Sequence, residues 1–241
     1  MRSLAVSVFT SDSNSVSCAW IRSISASALA TAGSIIGPYS DSLVTDTWSI
    51  TPALHLTGSA RYNMSRVTTR DELNLAPPNL DGDHKYHKLN PALGLSWQLN
   101  PALNAYAGFS QGSRVPSPIE LGCADPANPC SLPNSMAADP YLKQVVARTL
   151  EAGLRGKLAG DMRWNAGAFR TVNSDDILFV GTTTSAGYFT NFGKTRRQGL
   201  ELGLSGNHGP LEWGASYSYI RATFQSSACI KPQSTPLLSN R

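Results

Sequence analysis

The sequence predicts an all-β chain: antiparallel, up-and-down strands forming part of a transmembrane β-barrel. Three observations carry this. Apolar residues alternate with small or polar ones over segments of about ten residues. Tight turns and long links alternate along the chain. Only 15% of the 241 residues are charged, against about 25% in an ordinary soluble domain. The second face of each strand is therefore built from Gly, Ser and Asn. A soluble all-β protein with one solvated face would carry Lys, Glu and Thr there.

Residues 1–42 show no strand rhythm. Met1–Val6 resembles the start of a signal peptide, but Ser11–Ser15 interrupts any apolar core. The segment is expected to be a leader, disordered or non-native, ahead of a barrel region over 43–241. Leu54, Leu56, Gly58, Ala60 and Tyr62 then mark one face of a first clear strand, and Leu93, Leu95, Trp97 and Leu99 another. Residues 141–154 read as a strand too, because Leu150, Ala152 and Leu154 alternate with Thr149, Glu151 and Gly153. Leu200, Leu202 and Leu204 alternate with Gly and Glu, and Leu211, Trp213, Ala215, Tyr217 and Tyr219 complete the series. About eight strands are expected.

The connections punctuate these strands. Thr51-Pro52-Ala53, Asn100-Pro101-Ala102, 156–161 and 206–210 are short and turn-prone. The links near 70–84, 112–141 and 181–186, and the chain after 225, stand between them as the loop side. Trp48, Tyr62, Trp97, Trp164, Trp213 and Tyr219 fall near expected strand ends, where interfacial aromatics belong.

Other classes are set aside on composition. No uninterrupted apolar stretch approaches about 18 residues, so no transmembrane helix is expected. The net charge of +4 is spread without dense Lys/Arg blocks, which argues against nucleic acid as a partner. Five Trp, eight Tyr and seven Phe are too many aromatics for a disordered chain. G-x-S-x-G, H-E-x-x-H, Walker and G-x-G-x-x-G motifs are absent, so no enzyme, catalytic residue, resident metal or cofactor is expected.

Several side chains are candidates for a role. Cys123 and Cys130 flank a Pro/Asn/Asp-rich stretch and are expected to close a disulfide. Cys18 and Cys229 stay unassigned. Asp81–His87 and Asp175-Asp176 offer carboxylates that could hold a divalent ion, or could simply be hydrated loop rims; the second reading is preferred, since His84 and His87 face opposite sides of a strand. Arg114, Glu120, Glu151, Arg163, Glu201 and Glu212 are expected in the lumen or at its rim, because a charge facing lipid is costly. Lys194, Arg196 and Arg197 could attract an anionic chelate by electrostatic steering, could equally bind lipopolysaccharide phosphates, or could do neither.

Three segments, in order, carry a resemblance. Ala105–Leu121 contains Ser110-x-Gly112-x-Arg114-x-Pro116 followed by Glu120-Leu121; Leu150–Gly156 centres on Glu151; Asn191–Leu202 runs Asn-x-Gly to Gly-x-Glu. Together they resemble the barrels of TonB-dependent outer-membrane receptors, over about residues 43 to 225. The resemblance implies a barrel of about 22 strands, a plug domain within it, and an N-terminal box that engages the TonB energy-transducing protein. It implies residence among outer-membrane lipids of a Gram-negative bacterium. It also implies uptake of a ferric siderophore or a similar scarce nutrient. The sequence departs from the family pattern in its strand number, in lacking a plug-like region in 1–42, and in ending on Leu237–Arg241 without an aromatic strand. The chain is therefore expected to be an internal part of a receptor, not transport-competent alone. A self-contained small outer-membrane barrel with structural or adhesive loops is the alternative.

Overall fold

Strands β1 (Ser3–Ser11), β2 (Tyr39–Thr51), β3 (Leu54–Thr69), β4 (Gly82–Asn100) and β5 (Leu103–Arg114) open the fold. A single-turn helix, α1 (Pro118–Leu121), follows. Strands β6 (Val145–Lys157), β7 (Arg163–Gly181), β8 (Gly187–His208) and β9 (Leu211–Phe224) complete it. The computed structural model describes residues 3–11, 39–71, 79–131, 140–158, 161–183 and 186–226. Among these residues, nine strands form one sheet in strict chain order, each antiparallel to the next.

Eight strands run from Tyr39 to Phe224, and β1 adds a ninth, registered against β2 from Ser3↔Thr47 to Ser11↔Tyr39. The expectation that 1–42 holds no strand is thus not met over Ser3–Ser11, and β2 starts at Tyr39 rather than 43. Leu4, Val6 and Val8 do alternate, but the run is too short to stand out from a Ser-rich neighbourhood.

Register settles which residues share a face. Trp97, Ala105, Leu154, Ala166, Leu202 and Tyr217 follow one another across β4 to β9, and Leu95, Ala107, Ala152, Ala168, Leu200 and Tyr219 form the next row. These rows make an apolar band whose side chains are open: Leu93 is 54% exposed and Leu200 52%. Trp48, Trp97, Trp164 and Trp213 all lie on this face near the short-turn ends. Tyr62 and Tyr219 lie further along their strands, because the strands outrun the band. The opposite face is polar and glycine-rich, with Ser96, Tyr106, Gly153, Gly167, Glu201 and Ser218 in one row.

The short connections are where the turn residues place them. Pro52-Ala53 and Pro101-Ala102 join their strands directly, and Gly209 takes a positive φ of 58° between β8 and β9. At the other end, the link between β7 and β8 is also brief, 182–186, whereas 115–144 is long. That long link supplies the enclosed core. Val67, Tyr86, Leu121, Ala124, Leu142, Val145 and Ile177 cluster there, with Val115 and Phe189 against them. The buried core therefore sits at the loop end, over the polar face of the sheet, and not along the apolar band.

The polar wall and its loop cap as the candidate site

The loop cap starts from β5. Arg114, at its last position, donates to both carboxylate oxygens of Glu120, at 2.7 and 3.0 Å. Glu120 also accepts from the Ser117 backbone N–H at 2.7 Å, and the Ser117 hydroxyl accepts from the Glu120 N–H. This reciprocal capping box fixes the single turn of α1 after Pro116. Burial pushes the Glu120 carboxyl up, but the hydrogen bonds from Arg114 and Ser117 outweigh it and hold its pKa below the ordinary glutamate value. Arg114 and Glu120 thus satisfy each other as a structural clamp.

Beyond α1, Cys123 and Cys130 are joined by a disulfide with Cα atoms 5.6 Å apart, both almost fully buried. The closed loop is pinned to the sheet at both ends. Cys130 and Gly187 exchange two backbone hydrogen bonds, and the Phe189 N–H donates to the Cys123 carbonyl at 2.6 Å. Inside the loop, Asp125 accepts from the Ala127 N–H and the Asn128 side chain, an Asx turn that draws the Asp125 pKa below its ordinary value through those bonds. Further along, the Tyr86 hydroxyl donates to the Leu142 carbonyl at 3.0 Å, and Asn191 bonds both the N–H and the carbonyl of Lys143. The cap is held by three separate strands.

Below the cap, the polar wall is organised around Tyr106. Its ring lies across the glycines of neighbouring strands: a Cβ on Gly167 would meet the Tyr106 hydroxyl at 2.8 Å, and one on Gly153 at 2.5 Å. The Arg155 guanidinium lies 5.8 Å above the same ring and donates to the Asn104 side chain. Glu151 and Glu201 stand in adjacent rows of this face, and with Tyr106, Thr149 and Phe169 they line a shallow hollow. Nearer the cap, Asn90 donates to Asn63 at 2.7 Å and to Ser113 at 3.0 Å, and its own side-chain carbonyl is buried without a hydrogen-bond partner. Arg61 and Asp41 pair beside it.

The remaining sequence candidates distribute as follows. Arg163, Arg197 and Glu212 stand on the polar face by register. Arg196 stands on the apolar face, so Lys194, Arg196 and Arg197 do not form the single basic group that their spacing suggests. Neighbouring residues on a strand point to opposite sides, and the register divides them. His84 is buried beside Tyr86 and Tyr141, whereas His87 is exposed. Asp83 is held by Arg66 in a bidentate pair, and its pKa is lowered by that hydrogen bond. Asp176 accepts from Thr195 and Asn173 in a bulge of β7, where Asp175 takes a positive φ of 54°. Among the described residues, no three His, Cys, Asp or Glu side chains come together as a metal site. Cys18 and Cys229 lie outside the described residues.

Sequence reasoning did not single out Tyr106, Arg155, Asn63 or Asn90. Period two places Tyr106 and Asn104 on the polar face, but their partners on β4, β6 and β7 are visible only once the register is known.

A meander with one open apolar face and one glycine-rich polar face, capped at the loop end, defines the wall of a transmembrane β-barrel. The family model described as TonB dependent receptor-like, beta-barrel, matches residues 29–238; the chain belongs to that family. Solved structures share the fold. The copper transporter OprC superposes with a TM-score of 0.64 at 21% identity, covering 78% of this chain and 29% of its own. The alcaligin outer-membrane receptor FauA from Bordetella pertussis gives 0.56 at 16% identity, covering 78% and 31%. The ferric yersiniabactin uptake receptor FyuA from Yersinia pestis gives 0.56 at 19%, covering 77% and 27%. The chain thus spans less than a third of each of these proteins.

Proposed function

We propose that this chain is a wall segment of an outer-membrane uptake receptor for a metal chelate, a ferric siderophore or a similar scarce nutrient. The wall carries the polar lining past which the ligand moves. The observation that carries the reading is the sheet itself. Nine strands pair in chain order, and β1 and β9 each pair on one side among the described residues. In hydrocarbon each unpaired backbone group costs several kcal/mol, so further strands must cover both edges for the wall to sit in a bilayer. The solved structures that share the fold are named for copper, alcaligin and ferric yersiniabactin, which supports metal or metal-chelate cargo.

In this reading the apolar band faces outer-membrane lipid and the Tyr106–Glu151–Glu201 face lines the lumen. Energy coupling runs through TonB contacts made by the parent receptor's N-terminal region. The test is uptake of ferric siderophore by a receptor-null strain expressing these 241 residues alone. No energy-dependent import is expected. Import by the chain alone would overturn the segment reading, and heat-modifiable gel migration of the isolated chain would favour a self-contained small barrel.

A further inference from the structure

Along β6 to β9 the apolar face changes character at its loop end. Leu154, Ala152 and Leu150 give way to Arg148 on β6, and Trp164, Ala166 and Ala168 to Arg170 on β7. On β8, Leu204, Leu202 and Leu200 give way to Gln198 and Arg196; on β9, Ala215, Tyr217 and Tyr219 give way to Arg221. Register joins these positions across the strands. Leu150, Arg170, Gln198 and Arg221 make one row, and Gln111, Arg148, Val172, Arg196 and Thr223 the row above it. With strands about 4.8 Å apart, the four guanidinium groups share a patch roughly 15 Å wide.

Among the described residues, the patch is unneutralised. On the short-turn side of the β7 bulge, no Asp or Glu occupies a position on this face of β6, β7, β8 or β9. None of the four arginines makes an ion pair with a described residue. Arg148 donates one bond, from Nε to Gln111, which leaves its fork free. The Nε of Arg196 is buried without a hydrogen-bond partner. Height agrees with an interfacial place. From Trp213 to Arg221 the chain rises about 26 Å along the strand and about 20 Å at the usual tilt, near the ~25 Å height of the apolar band in such barrels. Arg170, in the same row as Arg221, can extend its stem upward along the band.

Arginine forks match phosphate oxygens bidentately, and a charge at the edge of the band costs little, whereas one at its centre costs about 2–4 kcal/mol. We propose that the outward rim formed by Arg148, Arg170, Arg196 and Arg221 binds the phosphate groups of outer-leaflet lipid. The inference rests on the membrane placement proposed above.

The test uses the full chain refolded in zwitterionic detergent micelles and titrated with bis-phosphorylated lipid A, followed by energy transfer from Trp to a labelled lipid. Removing all four charges, as Arg148→Gln, Arg170→Gln, Arg196→Gln and Arg221→Gln together, is expected to weaken association up to roughly a thousandfold. Binding by the unmodified chain should fall as salt rises. A control removes four cations from the other face or its ends: Lys88→Gln, Lys157→Gln, Arg163→Gln and Arg197→Gln. It should bind as the unmodified chain does. Equal loss in the control, or equal binding of dephosphorylated lipid A, would overturn the proposal. A strand signature in circular dichroism, measured on every sample, reports the barrel reading separately. Its absence from the unmodified chain would overturn both, and its presence with phosphate-independent binding would overturn only the rim.

Discussion

Two regions of the same strands are built on different terms. At the loop end, Leu121 is fully buried, Tyr86 is 3% exposed, and a disulfide, a capping box and an ion pair hold the cap to the sheet. Along the band, Leu93, Trp97 and Tyr219 each leave half their surface open. The cap buries apolar surface against protein and is stable in water by the ordinary hydrophobic effect. Among the described residues, the band has nothing of the protein to bury against. Its backbone is satisfied by ladder hydrogen bonds, and its side chains are satisfied only by an apolar solvent. The two regions should therefore respond to different perturbations.

The sharpest contrast lies between adjacent positions. Leu200→Arg puts a charge on the apolar band, whereas Glu201→Arg puts one on the polar face. With both sheet edges covered by the strands of the parent receptor, the first is expected to destabilise the barrel in bilayers by about 2–4 kcal/mol and the second by well under 1 kcal/mol. Denaturant midpoints in lipid vesicles measure both. Equal effects would mean that the two faces are not separated by solvent, and the band assignment would fail.

The cap is broken by a different route. Replacing Cys123 and Cys130 with Ser removes a short covalent loop, a loss of about 2 kcal/mol in the chain-entropy account. Because Cys130 pairs with Gly187 and Cys123 with Phe189, the expected result is local. Protease cleavage within 115–144 should accelerate, while the strand signature and the band's response to Leu200→Arg stay as they were. A global loss of strand structure would show that cap and wall fold as one unit.

The difference between the regions also explains what could be read without coordinates. Period two in Leu93–Leu99 and Leu200–Leu204 is a local signal, so the band, its turns and the eight strands from Tyr39 to Phe224 were legible. The basic rim was legible in principle, since Arg148 and Arg170 keep the parity of Leu150 and Ala168, but Arg196 was grouped with Arg197 by proximity along the chain. The cap was legible only where its contacts are local, as in Cys123–Cys130. Tyr86 with Leu142, and Asn191 with Lys143, join residues about fifty positions apart, and nothing in the local pattern of either partner announces the other. The Ser117–Glu120 capping box has the right spacing, yet a helix of four residues leaves no periodicity to draw attention to it.

The smallest effect separates the cap's ion pair from its covalent closure. Glu120 is held below the ordinary glutamate pKa despite its partial burial. A depressed carboxylate contributes stability that is present above the unfolded-state value, about 4.3, and is lost as pH falls through the lower folded value. Arg114 stays charged throughout, so the clamp weakens only on the acid side. Because the Arg114 side chain is 51% exposed, solvent screening limits the contribution to under about 1 kcal/mol. Hydrogen exchange in the 115–122 segment is expected to quicken as pH drops below about 4, once the intrinsic pH dependence of exchange is divided out. Glu120→Gln keeps the Ser117 contact through its amide carbonyl but loses the charge, and should exchange faster at neutral pH with no further acid step. An unchanged acid step in that variant would assign the titration to another carboxylate, with Asp125 the next to substitute, since its Asx turn lies on the same loop and is lowered in the same direction.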